Sequence, residues 1–435
     1  MRHLAIIGSG PAGYYSAEAA QKAFGDDVRV DIFDRLPVPF GLIRSGVAPD
    51  HQSIKGVARR YEKTALTDNV RFVGNVSIGE DVTIAELHDL YDAVILATGA
   101  PQDRTLDLPG QDLGNVFGSA AFVGWYNGHP QFTDLDPDLS GETAVIIGMG
   151  NVALDIARIL SKTDEEFAGS DITANALEQL NRSNIKRIIF LGRRGPHDIR
   201  MTPKELAELG KLQRAAPCLD PDDFPPVDSD QDLDPGLRKS VTLLREFAQE
   251  NAPDKPLKVE FMFWVRPQEI KGAQATETML VERTRLEGDK LTGTGETVSI
   301  PASLVVSAIG YRTSMLPGVP YDDRGGRFAN DDGLISPGLY CVGWARRGPT
   351  GTIGTNRPDG YAVIDRIAAE LPETGSGKEG RAGFDRLAQK KDLEIVTFQN
   401  WKKIEEAEET AARDGSPREK FTDIAEMIRA ANAPH

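Results

Sequence analysis

The chain has almost no cysteine: Cys218 and Cys341 are the only two among 435 residues. They lie far apart, so there is no Cys-x-x-Cys pair for dithiol exchange and no cluster for an iron–sulfur centre. Both read as small buried apolar residues. The six histidines are scattered without metal-ligand spacing. No apolar run approaches the roughly 18 residues needed to span a bilayer. Positive charge is also scarce. Fifty Lys and Arg stand against 66 Asp and Glu, and the net charge of −16 argues against general nucleic-acid or anionic-membrane binding. What remains is ordinary for a soluble enzyme, 40% hydrophobic and 27% charged. The length exceeds one ordinary core, so two domains or one large α/β unit are expected.

The distinctive content is a glycine pattern that occurs twice. Leu4 to Ile7 is a short apolar run of the parallel-strand type, followed by Gly8, Gly10 and Gly13 and then an alanine-rich helical stretch, Tyr14 to Phe24. Val28 to Phe33 is the next strand, with Asp34 directly after it. In such a β-α-β unit the first glycine permits the tight bend and the second lets backbone approach a pyrophosphate. The third lets helix pack on strand. The phosphate sits on the helix N-terminus, where free N–H groups and the helix dipole favour an anion. Asp34 is placed to accept hydrogen bonds from a ribose diol and to repel a 2′-phosphate, so this site suits FAD or NAD rather than NADP.

The pattern restarts at Ala144 to Ile147, with Gly148, Gly150 and Ala153 leading into a helix, Val152 to Leu160. The following strand, Arg187 to Leu191, ends in Gly192-Arg193-Arg194 where the first unit has an acid. Two guanidiniums there suit the 2′-phosphate of NADP. Two buried strands closed by glycine, Tyr91 to Ala100 and Ser303 to Thr313, complete a loose internal repeat. The fold class expected is α/β, with two Rossmann-like dinucleotide-binding domains. The first is discontinuous (1–105 and 320–435, with a helical tail packed on the outside) and the second is inserted into it (106–319). The first glycine turn begins at Gly8, with no room before it for a leader, so the chain reads as cytoplasmic or as a mature form.

The blocks "GSGPAG", "LPVPFGLIRSGVAPDHQSIK", "GNVALDIARIL", "GRRGP", "KELAEL" and "VGWARRGPTGTIGTN" together resemble the adrenodoxin-reductase-like ferredoxin–NADP reductases, of the glutathione-reductase structural class. The resemblance runs from about Arg2 to about Arg366. It implies an FAD enzyme that oxidises NADPH and passes single electrons to a ferredoxin. It implies flavin contacts at Ala12, Asp34, Leu42, Val76, Trp344, Gly351, Thr352 and Ile353. NADP contacts are implied at Met149, Gly150, Asn151, Val152, Arg193, Arg194, Glu205 and Gly351. The family usually carries Glu at the Asp34 position. His197 to Met201, "HDIRM", departs from a stretch that is mostly apolar in the family. Trp344 has two readings, a cover over the flavin ring or a core aromatic.

His51 and Glu208 match polar active-site positions of the family, and Asp155, one turn past Val152, could pair with His51. Such a pair would either steady nicotinamide and supply protons or serve as an interdomain hydrogen bond. Lys55, Arg59 and Lys63, spaced by four, would form one basic stripe on a helix. Arg238, Lys239, Arg245, Arg346 and Arg347 add cations. A local basic cleft would steer an acidic ferredoxin despite the negative net charge. An NADPH-dependent diaphorase or quinone reductase without a protein partner is the other reading of the same two sites.

Overall fold

A computed structural model describes residues 1–249, 254–372 and 375–433. Its first sheet has six strands in the order Leu334–Ser336, Leu339–Cys341, Ala93–Leu96, Arg2–Ile7, Val28–Phe33 and Val70–Val73. All neighbours pair in parallel except the first two. Its second sheet is wholly parallel, in the order Val116–Gly118, Leu304–Ser307, Thr143–Ile147, Arg187–Leu191, Leu257–Met262 and Ala215–Leu219. The central strands are buried on both faces, which is why they are continuous apolar runs such as "LAII", "AVIL" and "TAVII". The second sheet lies in sequence between strands of the first. The two chain crossings run side by side, Gln102–Asp103 pairing antiparallel with Tyr311–Arg312.

The glycines explain how helix meets strand. The helix Pro11–Phe24 follows the first turn. A Cβ at Gly13 would lie 2.0 Å from the Gly8 carbonyl oxygen, so only a hydrogen fits there. The helix Asn356–Glu370 crosses the same helix at Gly360, where a Cβ would lie 2.9 Å from the Ser16 amide nitrogen. In the second unit, the helices Ser119–Asn127, Asn151–Ser161, Pro203–Leu209 and Pro235–Gln249 bury one face of the sheet. The other face is covered by an antiparallel three-stranded sheet, Val265–Lys271, Thr278–Glu287 and Lys290–Pro301.

The tail forms the amphipathic helices Arg381–Lys390, Phe398–Thr410 and Ile424–Ala431. It is not a mere outer layer, however. Trp401 is 1% exposed and meets Phe40 edge-on, and Phe398 packs on Phe40 and Phe72. Beyond these helices' first-domain contacts, Gly415 to Thr422 reaches the second unit. The Gly169 amide donates to Gly415 O at 2.8 Å, Ala174 N to Glu419 Oε1 at 2.8 Å, and Thr133 Oγ1 to Thr422 O at 2.7 Å. Among the described residues no helix is long and apolar enough to cross a membrane.

Candidate functional site: two glycine cradles and an ionic seam

At the first turn Gly8 has φ +114°, and a Cβ there would lie 2.3 Å from Ala97 O. At Gly10 a Cβ would meet nothing within 4 Å. That glycine faces open space at the start of a helix whose first turn no side chain caps. The segment after Asp34 folds back over it. Phe40, at φ +84°, donates its N–H to Ser9 O, and a Cβ on Gly41 would lie 3.1 Å from Gly10 Cα. A non-glycine residue at positive φ is strained backbone of the kind that collects at ligand sites. Leu42 follows, 42% exposed for an apolar side chain beside a nucleotide-type turn. Ala12 sits in the first helical turn, and Val76, fully buried, donates its N–H to Asp34 O.

Asp34 accepts from Ser9 N at 3.0 Å, from Ser9 Oγ and from Leu36 N at 3.0 Å. A carboxylate has about four acceptor sites, so one remains for a ribose hydroxyl. Burial raises its pKa, and the Ser9 and Leu36 hydrogen bonds oppose that rise. Nearby, the Thr98 hydroxyl is buried without a partner. An uncapped helix start, one open carboxylate site and an orphan hydroxyl fit the adenosine diphosphate half of FAD.

The second turn repeats this. Gly148 has φ +139°, with a Cβ 2.5 Å from Ala308 O, and Gly150 again faces open space. Ala153 is fully buried, so its methyl takes the place of the third glycine. No side chain caps the helix Asn151–Ser161. Ser307, at the end of the strand paired with Thr143–Ile147, also has an orphan hydroxyl. Met149 packs against Gly192, Val152 is half-buried, and Asn151 Oδ1 accepts from Thr202 N at 2.8 Å. Arg193 and Arg194 are both exposed at the strand end. Arg194 is tied to Asp198 at 2.9 Å, and the Arg193 side chain has no hydrogen bond or ion pair among the described residues. Glu205 accepts from the Thr202 hydroxyl. In the departing stretch, His197 pairs with Asp230 at 2.7 Å, which Arg245 also grips.

Trp344 is half-buried at the start of the short helix Trp344–Arg347. Its Nε1 donates to Thr350 O at 3.0 Å and its ring lies near-parallel to Tyr311, centroids 6.1 Å apart. It is therefore not a sealed core aromatic. Gly351, at φ +84°, and Thr352 are exposed, and Ile353 packs on the first domain's core.

His51, Glu208 and Asp155 do come together, though not as the sequence suggested. His51 pairs with Glu208 (Nε2 to Oε2, 2.9 Å) and makes no direct bond to Asp155. Arg158, 2% exposed, stands between them. Its guanidinium bonds Asp50 at 2.7 Å and Asp155 at 2.9 Å, and lies 3.0 Å from His51 Nε2 and 3.3 Å from Glu208. Helical spacing placed Asp155 correctly but gave no sign of this intervening cation. The same His51 nitrogen cannot both accept from Arg158 and donate to Glu208. A neutral ring does one or the other, and a protonated ring donates to Glu208. Burial pushes the Asp155 carboxyl up to about 6, against the pull of Arg158. Arg158, Lys162 and their hydrogen bonds overcome burial and hold Asp50 well below the usual carboxylate range. Asp50, His51 and Glu208 offer three ligand atoms within 4.8 Å of one another, but Arg158 already supplies their positive charge.

The expected basic stripe does not exist as such. Gly56 and Val57 separate the helices Gln52–Lys55 and Ala58–Ala65, and Lys55 turns inward. It is buried against Asp171 at 2.6 Å, where Lys420 joins it at 3.3 Å, so it lies on no docking surface. Arg59 and Lys63 stay exposed, as does Lys239. Arg245 is bound by Asp230, Arg346 by Asp332 and Asp359, and Arg347 by Asp359. Arg238 donates to the carbonyls of Asp230, Gln231 and Leu233. Residues missed from sequence are Phe40, Gly41, Thr98, Arg158 and Ser307. Only Gly41 and the strand ends at Thr98 and Ser307 carried a local signal.

Residues 2–187 match the family described as pyridine nucleotide-disulphide oxidoreductase. The chain is 39% identical to NADPH-ferredoxin reductase FprA of Mycobacterium tuberculosis, over 98% of each chain. It is 40% identical to the mitochondrial NADPH:adrenodoxin oxidoreductase of Homo sapiens, over 98% of this chain and 91% of that one. The solved structure of Mycobacterium tuberculosis FprA in complex with NADPH superposes with a TM-score of 0.95 at 39% identity, covering 100% of both chains. A thioredoxin reductase from T. acidophilum, 16% identical with a TM-score of 0.50, shares the fold over 84% of this chain and 97% of that one. With two Rossmann-type turns in place and full-length relatives well above 30% identity, this chain belongs to the NADPH-ferredoxin and NADPH:adrenodoxin reductase family of pyridine nucleotide-disulphide oxidoreductases.

Proposed function

We propose that this protein is an FAD-dependent NADPH:ferredoxin oxidoreductase. The observation that carries the reading is the doubled cradle. Each glycine turn presents an uncapped helix start to open space, one flanked by Asp34 and the other by Arg193 and Arg194. Gly8, Gly10, Ala12, Gly13, Asp34, Leu42 and Val76 would hold FAD, with Trp344, Gly351, Thr352 and Ile353 along its ring. Gly148 to Val152, Arg193, Arg194 and Glu205 would hold NADPH. A bound flavin supplies two-electron acceptance from NADPH and one-electron release to an iron–sulfur partner. No cysteine pair competes for those electrons, since Cys341 is buried and far in sequence from Cys218.

The chain's own contribution is binding, orientation and charge. Asp34 accepts a ribose hydroxyl and excludes a 2′-phosphate from the first cradle. Trp344, whose indole N–H is held by Thr350 O, would lie along the flavin ring. The Arg158 seam joins Asp50 and His51 of the first domain to the helix that starts at the second turn, fixing one cradle against the other. His51, Glu208 and Asp155 are positioning residues around the Arg158 guanidinium; hydride transfer itself needs no general base.

We place the domain limits at 1–105, 106–319 and 320–435, a division supported by the chain crossing twice at the paired segments Gln102–Asp103 and Tyr311–Arg312. The acidic partner would dock on Arg59, Lys63 and Lys239, with smaller contributions from Arg238, Arg245, Arg346 and Arg347, whose charge is largely engaged. The chain would act in the cytoplasm. Because Arg245, Arg346 and Arg347 are paired with acids of the same chain, a diaphorase without a protein partner stands as the second reading. Anaerobic NADPH titration of the yellow protein, with NADH as control, tests the cofactors. Cytochrome c reduction with and without ferredoxin separates the two readings: absence of stimulation by any ferredoxin would remove the first.

A further inference from the structure

The stretch "HDIRM" holds an arginine that neither cradle motif includes. Ile199 and Met201 are buried at 3% and 2%, while Arg200 between them is exposed. Its backbone forms a parallel bridge with Gly150, and its N–H donates to Met149 O at 2.7 Å. The next anchor is Thr202 N on Asn151 Oδ1. The short extended segment is thus laid along the second glycine turn, in register with the glycine that faces open space. In extended backbone successive side chains alternate, so burying Ile199 and Met201 aims Arg200 away from the core. Bridged strands are about 4.8 Å apart, well within the reach of an arginine side chain. No hydrogen bond or ion pair of the Arg200 guanidinium occurs among the described residues. Arg194, by contrast, is tied to Asp198.

We propose that Arg200 clamps the pyrophosphate of the nicotinamide coenzyme against Gly150 and Asn151, while Arg193 and Arg194 read the 2′-phosphate. This rests on the NADPH reading of the second cradle. The chemistry divides the labour. The pyrophosphate is common to NADPH and NADH, so Arg200 sets affinity for both and selectivity for neither. It also adds an unpaired positive charge beside the second turn, where an anion would sit.

The test uses the FAD-loaded protein and equilibrium binding of NADP+, NAD+ and adenosine 2′-monophosphate, which lacks a pyrophosphate. Arg200→Ala is expected to raise Kd about 10-fold for both dinucleotides, as loss of a charged hydrogen bond does. Adenosine 2′-monophosphate should bind as before. Arg200→Lys should recover part of the loss, and the salt dependence of NADP+ binding should flatten in the Ala variant. Because Arg200 is exposed and unpartnered, the melting temperature should hold, which separates lost contact from lost fold. Weakened NADP+ and adenosine 2′-monophosphate with unchanged NAD+ would overturn the assignment in favour of a 2′-phosphate contact. Unchanged Kd for all three would overturn it in favour of a solvent-facing side chain. Failure of the unmutated protein to bind any of them would strike the nucleotide reading itself, a result visible before any variant is made.

Discussion

Replacing Asp171 by Asn isolates the charge cluster that ties three parts of the chain together. Asp171 is 4% exposed, Lys55 reaches it at 2.6 Å and Lys420 at 3.3 Å, and Asn127 Oδ1 is near both ammoniums. Lys55 belongs to the first domain, Asp171 and Asn127 to the second, and Lys420 to the tail. Asp171 is the carboxylate in direct contact with both ammoniums, while the neighbouring Glu408 is engaged by Arg44. Burial drives the pKa of both lysines down despite Asp171, and the two ammoniums hold Asp171 down despite its own burial. Asp171→Asn leaves two buried ammoniums without their direct counter-charge, a change that costs about 3–5 kcal/mol where one partner of a buried pair is removed. At about 2–4 °C per kcal/mol for a domain of this size, thermal unfolding followed by circular dichroism should fall by at least about 6 °C at pH 7.

The pH dependence sharpens this test. Lysines whose folded pKa is depressed bind fewer protons folded than unfolded, between the folded value and the unfolded one near 10.4. Stability then rises with pH across that window. The loss in Asp171→Asn should therefore shrink as pH goes from 7 to 9.5, because deprotonation relieves the orphaned ammoniums. The carboxylate works the other way. Its depressed pKa adds stability above about 4 that disappears in acid, so variant and parent should converge there too. A melting temperature within about 1 °C of the parent at pH 7, or a deficit that does not shrink at pH 9.5, would refute the idea that buried charge governs this junction.

Neutralising Arg193 and Arg194 together should weaken NADPH binding at least about 10-fold more than NADH binding, since each guanidinium contact to a phosphate is charge-assisted; parallel titrations with the two coenzymes decide it. Gly150→Ala should fold normally, as its Cβ meets nothing within 4 Å, yet lose NADPH affinity because the methyl fills the phosphate's space. Gly13→Ala, with a Cβ 2.0 Å from Gly8 O, should fail to retain flavin, read as loss of the yellow absorbance after purification. Asp155, whose folded pKa near 6 lies above its unfolded value, favours the folded state only while protonated. Its contribution is lost as pH rises from about 4 through 6. Asp155→Asn should remove that step and be more stable than the parent at pH 7 by on the order of 1–2 kcal/mol, measured by urea unfolding.

The two glycine turns, their strands and their closing charges are legible along the chain alone. Those features are local: φ of +114° at Gly8 and +139° at Gly148, close helix contact at Gly13 and Ala153, and an acid or two arginines at a strand end follow from neighbours along the chain. Even the loose repeat was visible, because parallel strands buried on both faces leave continuous apolar runs. What meets across the domains emerges from the folded chain. Arg158 lay in an amphipathic helix like any surface arginine until Asp50, His51 and Glu208 closed on it. Lys55 kept the spacing of a basic stripe until Gly56 ended its helix and Asp171 drew it inside. Arg200 was one residue in a polar stretch until its bridge to Gly150 set it beside the second turn. Spacing encodes what lies one helical turn away, whereas a charge's partner a hundred residues on is fixed by burial, which makes leaving it unpaired too expensive.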